Sequence, residues 1–157
     1  EAYDDAPRMS GLLKTHDGYD ATHGLIHARQ LELSADGREL QGTDTLAALE
    51  PGARLRCDRS MRGAAAGSGG AGLPFTVRFH LAPMVEAQVD MGGAAISLVP
   101  GHGEVWIFRA RGGRLRLAPS VFLDRGRLKP RATRQIVLSG RVLDYATEVH
   151  WSLTRAD

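Results

Sequence analysis

The stretch that decides the fold runs from Thr15 to Leu46 and reads THDGYDATHGLIHARQLELSADGRELQGTDTL. In its middle, one set of alternate positions carries Leu25, His27, Arg29, Leu31 and Leu33. A period of two is typical of a β-strand. The turn sequence Ala35-Asp36-Gly37-Arg38 follows, in which Asp-Gly tolerates positive φ, and the chain returns through Glu39 to Leu46. The stretch therefore predicts a β-hairpin.

A second strand pattern, PFTVRFHLAP, lies at Pro74 to Pro83, where apolar and polar residues alternate. Further short strands are predicted at Met84–Asp90, Ala94–Val99, Glu104–Ala110, Arg114–Ala118, Ser120–Leu123, Arg131–Leu138 and Thr147–Leu153. No helical segment of adequate length separates them, which argues against a parallel α/β fold. Many short strands with a turn about every ten residues indicate an all-β antiparallel sandwich with little or no helix.

The 157 residues are predicted to form one domain, residues 1–157, which is long enough to bury a core. Because the first residue is Glu1 and not Met, we expect the chain to be a segment of a longer protein. The run RGAAAGSGGAG at Arg62–Gly72 offers no apolar anchor, and it predicts a flexible loop between strands. At most, Thr45–Glu50 is expected to form about a turn of helix before Pro51.

Composition limits the classes of partner. The chain is 43% hydrophobic and 24% charged, with a net charge of +2, as is ordinary for a globular domain. No run approaches the roughly 20 apolar residues of a membrane span. Basic residues are interleaved with acids and only 6% of residues are aromatic, which makes nucleic acid a poor partner. Nearly all the cations are arginines, whose planar forks suit the carboxylates or sulfates of an acidic polysaccharide.

Seven short motifs follow one another in order along the chain. It comprises His16-Asp17-Gly18-Tyr19, Gly24-Leu25-Ile26-His27, Leu33-Ser34-Ala35-Asp36-Gly37, Gly42-Thr43-Asp44-Thr45-Leu46, Phe79-His80-Leu81-Ala82-Pro83, Thr133-Arg134-Gln135-Ile136-Val137-Leu138 and Trp151-Ser152-Leu153. With these motifs the chain resembles the C-terminal β-domain of the heparinase II/III-like polysaccharide lyases. It departs from that pattern at Ala82, where relatives often carry a second histidine.

The resemblance implies a two-domain bacterial lyase, with a helical toroid followed by a large antiparallel β-sandwich. Such enzymes cleave polysaccharides that contain uronic acids by β-elimination, in which tyrosine and histidine move the protons. It implies an acidic polysaccharide and an upstream helical toroid domain of the same polypeptide as partners, and a periplasmic location. Because the toroid supplies the tyrosine and most of the cleft, we expect this chain to be inactive by itself.

The resemblance carries over no residue as certainly catalytic, but His80 and His27 are the candidates. Arg29, Arg78 and Arg134 are candidates for contacts with substrate carboxylates. No cofactor and no metal site are predicted. His23 and His27 lie four residues apart, a spacing that converges on a helix but not on a strand, so zinc is disfavoured. Cys57 is the single cysteine, which excludes an internal disulfide and a cysteine-based metal cluster.

An alternative from another class is a non-catalytic carbohydrate-binding or interaction module, in which exposed arginines and Trp106 or Trp151 hold a glycan. The low aromatic content speaks against it, since glycan platforms use exposed rings. The parent reading frame distinguishes the two hypotheses, because the lyase requires a helical domain upstream of Glu1. The sequence does not identify the polysaccharide.

Overall fold

The computed structural model describes residues 10–68, 70–101, 103–124, 126 and 129–156. Within them the chain forms ten β-strands: β1 (Ser10–Tyr19), β2 (Leu25–Leu33), β3 (Glu39–Ala47), β4 (Leu73–His80), β5 (Val85–Asp90), β6 (Ala95–Pro100), β7 (Trp106–Arg111), β8 (Arg114–Phe122), β9 (Arg131–Val142) and β10 (Ala146–Arg155). The helices are α1 (Asp20–His23), α2 (Pro51–Ser68) and a short 3-10 helix at Met91–Gly93.

The strands form two antiparallel sheets. The larger sheet has seven strands in the order β1-β2-β3-β10-β7-β6-β5, and the smaller has three in the order β4-β9-β8. Apolar side chains from both sheets meet between them, including the rings of Phe79, Phe108 and Trp151, whose centroids lie 4.8–5.8 Å apart. The predicted all-β antiparallel sandwich is confirmed.

The predicted hairpin is also confirmed as β2 and β3, which pair from Ile26–Ala47 to Leu33–Leu40. Gly37 in its turn has φ 69°, the left-handed conformation that glycine adopts without strain. The Asp36 carboxylate accepts hydrogen bonds from the Ser34 hydroxyl and the Arg38 amide, which lower its pKa. The turn chemistry read from the sequence therefore sets the register of these two strands.

The secondary structure predicted for Thr45–Glu50 and for residues 62–68 is wrong. Strand β3 continues to Ala47, so no helix forms at Thr45–Glu50, and the 18-residue helix α2 covers residues 62–68 of the segment predicted as a loop. Proline suits the first turn of a helix, and α2 begins at Pro51. Ala53 and Cys57 are buried against the sandwich, so tertiary packing stabilises the first half of α2. The mobility of residues 62–72 stays a prediction.

The structure joins two of the predicted strands into a single strand. Arg114–Ala118 and Ser120–Leu123 form the continuous strand β8, which contains Pro119. This strand lies at the edge of the smaller sheet, where a residue without an N–H group is tolerated. Strand β9 also extends beyond its predicted end, to Val142.

The unequal sizes of the sheets leave one side of the sandwich open. Strand β4 is an edge strand of the smaller sheet, and β1 is exposed along its whole length, including Leu12 and Leu13. The side of the larger sheet that carries β1 and β2 therefore extends beyond the smaller sheet. None of the helices in the described ranges is long and apolar enough to cross a membrane.

Candidate functional site: a histidine-lined cavity beside strand β4

A cavity of about 400 Å³ lies on this open side, between the strands β1 to β3 and the edge strand β4. Its apolar wall includes Leu25, Leu46, Phe75 and Val149. Its polar and ionisable lining includes His16, Tyr19, His23, His27, Arg29, Asp44 and Arg78. A concave, largely apolar pocket with a few converging polar groups is the usual form of a ligand site.

Asp44 anchors the polar side of the cavity, and its side chain is only 2% exposed. Its carboxylate lies 2.6 Å from His27 Nε2, and it accepts hydrogen bonds from Arg29 Nε at 2.7 Å, Arg29 Nη2 at 3.0 Å and Trp151 Nε1 at 2.9 Å. Burial alone acts to raise the pKa of Asp44, but the hydrogen bonds from Arg29, Trp151 and His27 outweigh it and hold that pKa below its ordinary value. Asp44 is therefore ionised at neutral pH.

Two histidines extend this network to strand β1. His16 Nδ1 accepts a hydrogen bond from the Gly18 amide at 3.2 Å, so the proton of the neutral His16 ring lies on Nε2. His16 Nε2 is 3.1 Å from His27 Nδ1 and donates to it. The proton of the neutral His27 ring then lies on Nε2 and faces Asp44. Each imidazole is thus fixed in one tautomer and one orientation by its neighbours.

Tyr19 lies beside this chain, at the end of β1. Its ring meets the His16 ring edge-on at a centroid distance of 5.1 Å. The pairing of β1 with β2 is irregular between His16 and Tyr19, and such bulges change the direction in which a side chain points. Tyr19 is 46% exposed, and among the described residues no hydrogen bond holds its hydroxyl. The hydroxyl is therefore accessible to a ligand in the cavity.

The candidate substrate-binding arginines have different surroundings. The guanidinium of Arg29 lies 5.4 Å from the centre of the Phe79 ring and 5.8 Å from that of Trp151, and two of its nitrogens bind Asp44. It acts as the counter-ion of Asp44, so its fork is already used. Arg78 is exposed at the edge of β4, where its Nη1 donates to Gln135 at 3.3 Å. Arg78 is thus the more available cation of the cavity.

The structure separates the remaining candidates from this cavity. His80 lies on the outer face of the smaller sheet, with Nδ1 2.7 Å from the Ser120 hydroxyl. Arg134 donates from Nη1 to the Ala87 carbonyl at 2.6 Å and so connects β9 to β5. The structure therefore brings His27, Arg29 and Arg78 together and leaves His80 and Arg134 elsewhere. The roles of all five residues stay predictions.

His23 lines the cavity from α1, and its Nδ1 lies 3.2 Å from the Ser60 hydroxyl of α2. Across the described ranges, no three His, Cys, Asp or Glu side chains are grouped so that they could hold a metal ion. The expectation that the chain needs neither zinc nor another cofactor stays a prediction.

Asp44 is the residue at the centre of the cavity's hydrogen-bond network, and the sequence reasoning did not single it out. In β3 it shares its parity with Leu40, Gly42 and Leu46, the face that points toward the core. A carboxylate on an apolar strand face requires buried partners. That conflict is a signal in the sequence, although it does not identify the partners.

The family model described as "Heparinase II/III-like, C-terminal" matches residues 2–152. The chain belongs to this family. Two solved structures share its fold, the heparan sulfate lyase HepC from Pedobacter heparinus and a mutant of it, with TM-scores of 0.65 and 0.67 at 11% sequence identity. The matches cover 99% of this chain and 21% of HepC.

A curated relative, FtsZ-localized protein C from Caulobacter vibrioides, is 35% identical over 146 residues, which is 90% of this chain and 23% of that protein. The chain thus spans less than a quarter of the length of these relatives. The resemblance inferred from the motifs is confirmed. The chain is a heparinase II/III-like C-terminal domain.

Proposed function

We propose that the chain is the C-terminal β-sandwich of a longer enzyme that cleaves a uronic-acid-containing polysaccharide by β-elimination. The observation that carries this proposal is the family match over residues 2–152. In the proposal, the cavity beside β4 forms one wall of the substrate cleft, and an upstream helical toroid of the same polypeptide forms the other. The enzyme then works in the bacterial periplasm.

The side chains of the cavity support the proposal that this domain contributes some, but not all, of the groups needed for β-elimination. β-Elimination requires a base and a positive group that neutralises the charge developing on the uronate carboxylate. Both ring nitrogens of His16 and of His27 are engaged within the protein, and the Arg29 fork is bound to Asp44. Tyr19 and Arg78 remain available to a substrate. We therefore assign His27 to positioning and expect the isolated chain to be inactive.

The test uses the longer polypeptide and follows the ultraviolet absorbance of unsaturated uronate released from heparin, heparan sulfate or alginate. His27→Gln removes the link between Asp44 and His16. It is expected to lower kcat by about 100-fold with little change in KM, because a shift of about 1 Å in a reacting group has that effect. His150→Gln, at an exposed histidine on the outer face of β10, is the matched control and is expected to be unchanged. Equal activity of both variants would contradict the assignment.

A second candidate function comes from the Caulobacter relative. Its 35% identity over 90% of this chain favours a parent protein that localises with FtsZ, in which this domain is an interaction module. A fluorescent fusion of the longer polypeptide tests this hypothesis, since it predicts a band that coincides with FtsZ at midcell. A diffuse signal would contradict it without bearing on the lyase assay.

The alternative of a carbohydrate-binding module relied on Trp106 or Trp151 as an exposed ring for the glycan. Trp151 is buried at 7% exposure, and its indole N–H is bound to Asp44. Trp106 is only partly exposed, and its Nε1 donates to Glu104 at 3.3 Å. The suggestion that Trp151 provides an exposed ring for a glycan is therefore wrong. Recognition of a glycan by this domain therefore cannot use the ring of Trp151.

A further inference from the structure

The smaller sheet is exceptional in its charge. Strands β4, β8 and β9 contain no aspartate or glutamate. Their basic residues are Arg78, His80, Arg114, Arg116, Arg131, Arg134 and Arg141. The larger sheet, in contrast, carries acids on its strands, including Asp44, Glu39 and Glu148. A sheet whose charged side chains are all positive favours a negatively charged ligand.

Strand pairing places three of these arginines together on the outer face. Arg78 and Arg116 both pair with Val137, and Arg114 pairs with Ser139 in the neighbouring row. From ordinary sheet spacings, the Cα atoms of Arg78 and Arg116 lie about 10 Å apart across the sheet, and those of Arg114 and Arg116 lie about 7 Å apart along β8. All three arginines are exposed. They form a continuous basic surface, which we call the β4–β8 arginine face.

These three arginine side chains are exposed at the protein surface. Val137 lies on the outer side of the sheet between Arg78 and Arg116, yet none of its surface is exposed. The aliphatic stems of long neighbouring side chains can cover such a residue while their guanidinium groups stay in water. Within the described part of the chain, no carboxylate forms an ion pair with Arg78, Arg114 or Arg116. Their charges are therefore available to a partner.

We propose that the β4–β8 arginine face binds an acidic polysaccharide chain through Arg78, Arg114 and Arg116. This inference rests on the proposed function for the class of ligand, and it adds a binding surface outside the cavity. Guanidinium groups match carboxylate and sulfate oxygens in two parallel hydrogen bonds. An extended polymer with an anionic group on each repeat meets several such forks at once, which multiplies weak contacts.

Other polyanions fit this face less well. Proteins that bind single-stranded nucleic acid stack bases on aromatic rings, and the rows of Arg78, Arg114 and Arg116 contain none. A flat sheet face also does not enter the grooves of a duplex. Membrane binding requires exposed apolar side chains beside the cations, whereas the rows of Arg78, Arg114 and Arg116 contain only Thr76, Ser139 and the buried Val137 besides the arginines.

The position of β4 connects this face with the cavity. Because β4 is an edge strand, Thr76 and Arg78 line the cavity as well as the outer face. A polysaccharide bound along the arginine face therefore passes over β4 and reaches the histidine-lined cavity. The face acts as an extended binding surface that feeds the cleft.

The test measures the affinity of the 157-residue chain for heparin, with uncharged dextran as the negative control. The double variant Arg114→Gln and Arg116→Gln is expected to weaken heparin binding by about tenfold, as the loss of two surface ion pairs implies. The matched control is Arg109→Gln with Arg111→Gln, which removes the same charge at the same spacing from β7 in the other sheet. It is expected to change the affinity by less than about twofold.

Several outcomes would overturn the proposal: an equal loss in both double variants, no heparin binding by the wild-type chain, or tighter binding of duplex DNA or of anionic phospholipid vesicles through the same arginines. Circular dichroism of each variant verifies the fold. The result is separable from the lyase assay. Heparin binding by the chain that depends on Arg114 and Arg116, together with no turnover by the longer polypeptide, would refute the enzyme and retain the binding face.

Discussion

Asp44 determines the arrangement of the cavity at the scale of single residues. Its carboxylate joins β2 to β3 through His27 and Arg29 and joins β3 to β10 through Trp151. Replacing it with asparagine leaves Arg29 without its counter-ion and removes hydrogen-bond acceptors in a buried position. We expect Asp44→Asn to lower the free energy of unfolding by about 2–4 kcal/mol.

Urea denaturation of the chain measures this loss. The control is Glu148→Gln on β10, where the side chain is 54% exposed, and a change below about 0.5 kcal/mol is expected there. Similar values for the two variants would show that the Asp44 network contributes no more than an ordinary surface carboxylate.

The depressed pKa of Asp44 makes its contribution depend on pH with a definite sign. The carboxyl has an ordinary pKa of 3.8 in the unfolded chain and a lower one in the folded protein, so the unfolded state takes up its proton first on acidification. The stability due to Asp44 is therefore complete well above pH 3.8 and is lost as the pH falls through the folded pKa. The difference in unfolding free energy between wild type and Asp44→Asn should shrink between about pH 5 and about pH 2. A difference that stays constant over that interval would contradict the assignment of the charge.

Part of the site is readable from single residues, and part is not. His27 and Arg29 are visible in the sequence as polar residues on the parity of Leu25 and Leu31. Their common partner Asp44 is not, because the contact depends on the register that pairs Arg29 with Asp44 across the hairpin. Trp151 joins the same carboxylate from a distance of 107 residues, which no local pattern predicts.

Helix α2 shows the limit of sequence reasoning at the scale of elements. Glycine and alanine in residues 62–68 suggest a loop, whereas the helix depends on contacts made by Ala53 and Cys57 with Leu25 and Val142. Both buried side chains lie in the first half of α2. In its second half Met61 packs partly buried against the same cluster, and most of residues 62–67 are exposed.

We expect this second half to open readily. Hydrogen exchange of the amides of residues 62–68 should be faster than that of Phe75–Phe79 in β4, because the strand is packed into the core. Gly63→Ala should slow this exchange and stabilise the helix by about 0.5–1 kcal/mol, since nothing lies within 4 Å of the added carbon.

Gly140→Ala in β9 is the control for Gly63→Ala, because the same substitution is expected to destabilise the protein there. There the new carbon would lie 2.5 Å from the ring of Phe75, and a loss of about 1–3 kcal/mol is expected. Exchange of residues 62–68 as slow as that of β4 would contradict the idea that their low burial governs their stability.

For the whole molecule, the many short strands with a turn about every ten residues are sufficient to predict an antiparallel sandwich. The division into seven strands and three is not predictable from them, since strand order depends on long-range pairings such as β3 with β10. That unequal division opens the side of the sandwich on which the cavity lies. The cavity is thus a consequence of the sheet topology.

The most direct test of the account compares the isolated 157-residue chain with the longer polypeptide that contains it, by the ultraviolet absorbance of unsaturated uronate. The chain holds Tyr19 and Arg78 beside a fixed histidine pair, but in our proposal it lacks the other wall of the cleft. The account predicts no signal from the isolated chain and turnover by the longer polypeptide. Robust turnover by the isolated chain, abolished by His27→Gln, would contradict it, because the β-sandwich alone would then carry a complete active site.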